Sequence, residues 1–163
     1  MAFTCGLLFL ASEQEVYSLI LPVVSIVSLN PNFITGFSDA DGCFYIQISK
    51  DNRCQTGYQV IASFTIGLDK RDIALLKEIQ LFFGVGNINT HGNMVYSKVT
   101  SIKDLSVIIA HFDKYLLLTQ KQADFLLFKP IVEMINRGEH LTPEGLRKIV
   151  AIRTSINNGL SDT

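Results

Sequence analysis

The sequence predicts an α+β domain in which a four-stranded antiparallel sheet carries helices on one face. Three observations point there. Apolar side chains alternate at every second position through residues 43–49 and 57–68, as they do in half-buried strands. Residues 73–83 and 105–112 instead repeat apolar side chains every three or four positions, as helices do. The order strand, strand, helix also occurs twice, so two hairpins can share one sheet with their helices on one side of it.

Taken in order, the first helix opens at Asn30-Pro31, with proline in its first turn. Phe33 and Phe37 stand four apart on it. So do Gly36 and Ala40, two small residues that let another helix approach closely. After Gly42 the period changes to two: Phe44, Ile46 and Ile48 point one way, Cys43, Tyr45, Gln47 and Ser49 the other. A polar loop over 50–56 leads to the second strand. There Tyr58, Val60, Ala62, Phe64, Ile66 and Leu68 share the core side, and Gln59, Ile61, Ser63, Thr65 and Gly67 the open side.

Residues 69–72 open a helix that buries Ile73, Leu76, Ile79 and Phe83 and stops at Gly84 and Gly86. A shorter hairpin, 85–89 and 94–100, turns around His91-Gly92-Asn93. The next helix uses Leu105, Ile108, Ile109 and Phe112 on one side. A further helix spans 120–136, where Pro130 is expected to kink or interrupt it. Thr142 caps the last helix, with Pro143 at its first position; it is expected to run to about Ile156, before Asn157-Asn158-Gly159.

A chain of 163 residues that is 48% hydrophobic can bury one substantial core. Three cysteines, Cys5, Cys43 and Cys54, form no paired spacing and point away from a zinc site or a disulfide framework. Residues 1–30 are apolar but contain no unbroken run of the ~20 residues that a membrane span needs, and no basic residue precedes the first run as in a signal peptide. They read as an apolar N-terminal extension apart from the functional site, with the domain proper at 31–163. The net charge is −1. Two of the acidic residues, Glu13 and Glu15, lie in the extension, so the remainder carries one net positive charge. Bulk charge therefore gives no support to a polyanionic partner, and any such face must be made by arrangement. His91, His111 and His140 show no ligand spacing, which argues against histidine-bound metal.

The chemically unusual stretch is FITGFSDADG, residues 33–42. Asp39 and Asp41 fall at a helix C-terminus, where the macrodipole opposes a carboxylate by about 0.3–1 kcal/mol unless a cation joins it. A carboxylate beside the free carbonyl of Gly42 makes a half-site for a hard divalent ion. An ordinary turn closed by a left-handed glycine is the plain alternative.

ITGFSDADG resembles the signature of the LAGLIDADG homing endonuclease family, in its small third residue and its Asp-x-Asp-Gly ending. The helix, strand, strand, helix, strand, strand, helix order over residues 30–160 is that family's order too. The resemblance implies a metal-dependent, site-specific double-strand DNA endonuclease, with Asp41 as the motif acid and Asp41 and Gly42 holding Mg²⁺. Asp39 is expected to fix the helix end by hydrogen bonding. A basic residue near the start of the helix after the second hairpin unit is also implied; Lys121 occupies that region, and its bland alternative is an ion pair with Asp124. Where single-motif members often carry a polar, water-organising residue at the end of the second strand, this chain has Gly67-Leu68, with Lys70 and Arg71 nearby.

A sheet with one polar face can lie in a DNA major groove. The resemblance assigns that task to Tyr45, Gln47, Ser49, Arg53, Gln55, Gln59, Ile61, Ser63 and Thr65 of the first hairpin, and to Asn87, Asn89, Lys98 and Thr100 of the second. With one motif in the chain, pairing of Gly36, Ala40, Phe33 and Phe37 with a second motif helix is implied. That pairing gives either a homodimer on a near-palindromic target or one half of a two-motif protein. An intron RNA maturase and a cleavage-deficient DNA-binding protein on the same fold stay open as alternatives. Residues 15–28 resemble a membrane helix of cytochrome oxidase subunit one, which implies an upstream exon remnant, an intron-encoded origin and a mitochondrial setting without a membrane role for the domain.

Overall fold

The computed structural model describes residues 29–156. The apolar extension up to residue 28 and Asn157-Asn158-Gly159 lie outside the described residues. Helix α1 (Pro31–Asp41) starts where the Asn30 side chain accepts the Asn32 N–H at 2.8 Å, and it passes directly into β1 (Gly42–Lys50). Then follow β2 (Tyr58–Asp69), α2 (Ile73–Phe83), β3 (Asn87–His91), β4 (Met94–Val99), α3 (Ile102–Lys114), α4 (Lys121–Asn136) and α5 (Pro143–Arg153). The strands form one antiparallel sheet in the order β1-β2-β4-β3, so the two hairpins lie side by side with β2 and β4 in the middle.

The expected α+β architecture is the one observed, with differences at element ends. Residues 69–72 form a 3-10 turn capped by Asp69, whose carboxylate accepts the Arg71 N–H at 3.0 Å, and α2 proper starts at Ile73. Strand β3 begins at Asn87, β4 stops at Val99, and α5 ends at Arg153. Helix α4 runs through Pro130 without interruption. The carbonyl that loses its N–H partner to the proline belongs to Leu126, which is exposed, so water can take it.

The core lies between the sheet and the helices. Phe44 of β1 sits at its centre, with ring centroids 5.1 Å from Phe64, 5.6 Å from Phe125 and 5.2 Å from Phe128. Each fully buried ring stabilises the fold by about 1.5–3 kcal/mol. These contacts also have a positional effect. Phe44 follows Gly42 by two residues and Phe125 follows Lys121 by four, so their contact holds the start of β1 against the first turns of α4.

His111 of α3 is buried among Phe82, Phe83, Phe112 and Tyr115, and its Nε2 lies 3.0 Å from Thr35 Oγ1 of α1. Burial pushes its pKa below the ordinary imidazole value. His111 therefore ties α3 to α1 as a neutral side chain. Among the described residues no helix is long and apolar enough to cross a membrane.

Candidate functional site

The junction of α1 with β1 is set by one close approach. Gly42 has extended backbone (φ −76°, ψ 152°) and donates its N–H to the Ser38 carbonyl. A Cβ at this position would lie 2.5 Å from that same Ser38 oxygen and 3.1 Å from the Phe64 ring. Glycine is needed here for space, and the left-handed turn considered from the sequence does not form. The chain thus leaves the helix and enters the strand within one residue, with the Asp41 side chain exposed at the seam.

Asp39 points elsewhere. Its carboxylate accepts the Leu118 N–H at 2.8 Å, the Thr119 N–H at 3.1 Å and the Thr119 hydroxyl at 2.6 Å. Asp39 fixes the helix end by hydrogen bonding, and its partners lie in the loop between α3 and α4. These oxygens are engaged by neutral donors, which leaves Asp41 as the available motif carboxylate.

Lys121, the first residue of α4, sends its ammonium to the Gly42 carbonyl oxygen at 2.5 Å. Asp124, three residues further along the same helix, is buried. At the end of α1 an ammonium is therefore held on a backbone carbonyl, and the exposed Asp41 immediately precedes that carbonyl's residue. No group of three or more His, Cys, Asp or Glu side chains fit to hold a metal occurs among the described residues. The exposed Asp41 carboxylate and the adjacent Gly42 carbonyl do fit part of the coordination shell of a hard, oxygen-seeking divalent ion, which usually keeps several waters.

The open face of the sheet begins beside this seam. Cross-strand pairing builds two rows on it: Cys43, Thr65, Lys98 and Asn87 across all four strands, then Gly67, Tyr96 and Asn89. Tyr45, Gln47, Gln59, Asn87, Asn89 and Lys98 are exposed, and Ser49, Ile61 and Thr65 are half-buried. Ser63 departs from expectation: it is 3% exposed and cannot reach a ligand lying on the face. It is a short side chain on an interior strand, directly opposite the bulky Tyr45. Thr100 is exposed but beyond the end of β4. Gln55 and Arg53 are exposed in the β1–β2 loop, where the Arg53 guanidinium is held by both Asp51 carboxylate oxygens at 3.0 and 2.8 Å. That pair lowers the Asp51 pKa, chiefly through the side-chain hydrogen bond.

One member of the face was missed from sequence, Tyr96. The alternation Met94, Tyr96, Lys98 was the signal available for it. Tyr96 lies flat over Gly67, where a Cβ would sit 2.8 Å from its ring. This explains the glycine at the end of β2 and leaves no room there for a polar side chain. Leu68, its neighbour, is half-buried and pairs with the buried Val95.

On α1, Phe33, Gly36, Phe37 and Ala40 share one helical face by their spacing. Phe33, Gly36 and Ala40 are exposed, Phe33 stacks on Phe37 at 5.9 Å, and the space around a Cβ at Gly36 is open to 4 Å. The opposite face, Ile34, Thr35 and Ser38, is buried in the core.

Comparison with known proteins adds a family and a set of structures. The model of the LAGLIDADG endonuclease family matches residues 34–132. A Neurospora crassa protein described as probable intron-encoded endonuclease 2 is 43% identical over 141 residues, which cover 83% of this chain and 31% of that protein. The crystal structure of the homing endonuclease I-TnaI aligns with a TM-score of 0.77 at 38% identity, over 82% of this chain and 92% of its own. The meganuclease I-CpaMI bound to uncleaved DNA aligns with a TM-score of 0.79 at 47% identity, over 82% of this chain and 46% of its own. The chain thus spans about a third of that curated relative and about half of the DNA-bound meganuclease.

Proposed function

Because the chain belongs to the LAGLIDADG endonuclease family, we propose that it is one motif-bearing unit of a site-specific double-strand DNA endonuclease. The observation that carries this reading is the Lys121 ammonium on the Gly42 carbonyl, next in sequence to the exposed Asp41, at the edge of a polar sheet face. A divalent ion, Mg²⁺ in this proposal, would be held by Asp41 and the Gly42 carbonyl; when bound it neutralises phosphate charge and makes water a better nucleophile at neutral pH. Lys121 supplies a fixed positive charge beside the same carbonyl, suited to the charge that develops on a phosphodiester under attack. With Gly67 filled by Tyr96 and Leu68 turned toward the helices, Lys121 is the polar group left at the seam to orient water.

The sheet face reads the duplex. Gln47, Gln59, Asn87 and Asn89 can pair with adenine edges in the major groove, and Lys98 with guanine or phosphate. Two strands need two such centres. The stripe Phe33, Gly36, Phe37 and Ala40, exposed except for the partly buried Phe37, is suited to packing against a second motif helix, which brings two Asp41-type acids together. The partner unit is either a second copy on a near-palindromic target or the other half of a longer chain. The 46% coverage of a DNA-bound meganuclease supports the second arrangement, and the 92% coverage of I-TnaI is compatible with the first. The intron-encoded relative supports an intron-encoded origin, with which an organellar, mitochondrial setting is proposed.

The test is the Asp41→Asn protein assayed on a duplex selected by binding from a random pool. Metal-dependent nicking should disappear while affinity stays within a few-fold. Loss of binding instead would make Asp41 a structural residue and remove the proposal's central acid.

A further inference from the structure

We infer that Asp39 and Thr119 are positioning residues that hold Lys121 over the Gly42 carbonyl, an inference that rests on the catalytic reading of Lys121 above. The route is continuous. Asp39, on the last turn of α1, takes the Thr119 O–H at 2.6 Å and the N–H groups of Leu118 and Thr119 at 2.8 and 3.1 Å. The Thr119 hydroxyl then accepts the Lys121 N–H at 3.2 Å, and the Lys121 ammonium returns to Gly42, three residues after Asp39.

Each part has a physical reason. The first N–H groups of a helix lack intrahelical partners. Residue Gln120, which precedes α4, makes no side-chain capping bond, so Thr119 takes over that task for Lys121. A hydroxyl can donate and accept at once, and Thr119 does both. Asp39 would be opposed by the helix dipole at its position, and three donors from the loop offset that. The outcome concerns reach. Lysine has a long, flexible stem whose fixation costs up to about 1.5–2 kcal/mol of rotamer freedom. An ammonium is useful at a reacting centre only if its backbone origin is fixed, and misplacement by about 1 Å can cost about 10²-fold in rate. The strap fixes that origin. The two aspartates of the motif thus divide the work: Asp41 faces the metal position, and Asp39 serves the lysine.

The experiment compares Thr119→Val, Thr119→Ser, Lys121→Met and the Thr119→Val/Lys121→Met double variant of the whole chain. Single-turnover cleavage of a selected duplex is measured with its dissociation constant, alongside crystal structures of both Thr119 variants. Thr119→Val should slow cleavage about 10- to 100-fold with affinity within a few-fold. The double variant should be no slower than Lys121→Met alone, and Thr119→Ser should recover most of the rate. The Lys121 to Gly42 contact should be lost in the valine structure and kept in the serine one. An equal slowing by Thr119→Val in the Lys121→Met background, or an unmoved ammonium in the valine structure, overturns this inference alone. Wild-type cleavage by Lys121→Met overturns it together with the catalytic reading of Lys121.

Discussion

Lys121 and Gly42, 79 residues apart in sequence, are joined by a hydrogen bond of 2.5 Å from ammonium to carbonyl. The bond closes the seam between α1, β1 and α4 and puts the one basic group of the site on the backbone that follows the motif acid. Lys121→Met should therefore reduce single-turnover cleavage on the order of 10²-fold, the usual scale for removing one preorganised charge stabiliser, with DNA affinity changed only a few-fold. Lys121→Arg should not recover the rate, because a planar fork cannot copy a compact ammonium in a site built around one carbonyl. Quench-flow rates at saturating protein check both.

Gly42→Ala places a methyl group 2.5 Å from the Ser38 carbonyl and 3.1 Å from the Phe64 ring. The backbone contact cannot yield without opening the end of α1. The expected loss of stability is about 1–3 kcal/mol, measurable by urea unfolding. Cleavage should fall further than stability, since the same displacement moves Asp41 and the carbonyl beside Lys121.

The period-two alternation of residues 43–68 was legible because β1 and β2 each bury one face, and Phe44, Ile46, Val60, Ala62, Phe64 and Ile66 are indeed core residues. The helices were legible for the matching reason, Leu76, Ile79, Leu105, Ile108 and Phe112 being buried at helical spacing. What failed was local in sequence and remote in space. Ser63 sits on the correct face, opposite Tyr45, but is buried, and alternation gives the face of a residue without its depth. The role of Asp39 depends on Leu118 and Thr119, and nothing near either end of that contact announces the other. Gly67 was noted as a departure, but its cause is a ring on another strand. Pro130 was expected to disturb α4, and the exposure of Leu126 makes it tolerable.

Gly36→Gln separates folding from pairing. A Cβ there meets no atom within 4 Å, and replacing a helical glycine gains about 0.5–1 kcal/mol of helix stability. The thermal midpoint should hold or rise. Close approach of a second helix should be blocked, so light scattering should give the single-chain mass of 18.2 kDa where the unmodified chain pairs.

His111 and His140 both have pKa values pushed down by burial. The unfolded chain binds protons at about 6.5, and the native state resists them to lower pH. Stability on their account is unchanged above that value and falls as pH drops from about 6.5 toward the lowered native values. Thermal midpoints from pH 7.5 to 5 should decline more steeply for the unmodified chain than for His111→Gln, which keeps a donor toward Thr35 and does not titrate.

The most direct measurement is strand scission of a duplex carrying the selected half-site as an inverted repeat, with Mg²⁺ and the unmodified chain at a concentration where pairs form. The account predicts that both strands are cut, that chelation of the metal stops the reaction, and that Asp41→Asn binds the same duplex without cutting either strand. A duplex bound tightly in Mg²⁺ and left intact on both strands would contradict it.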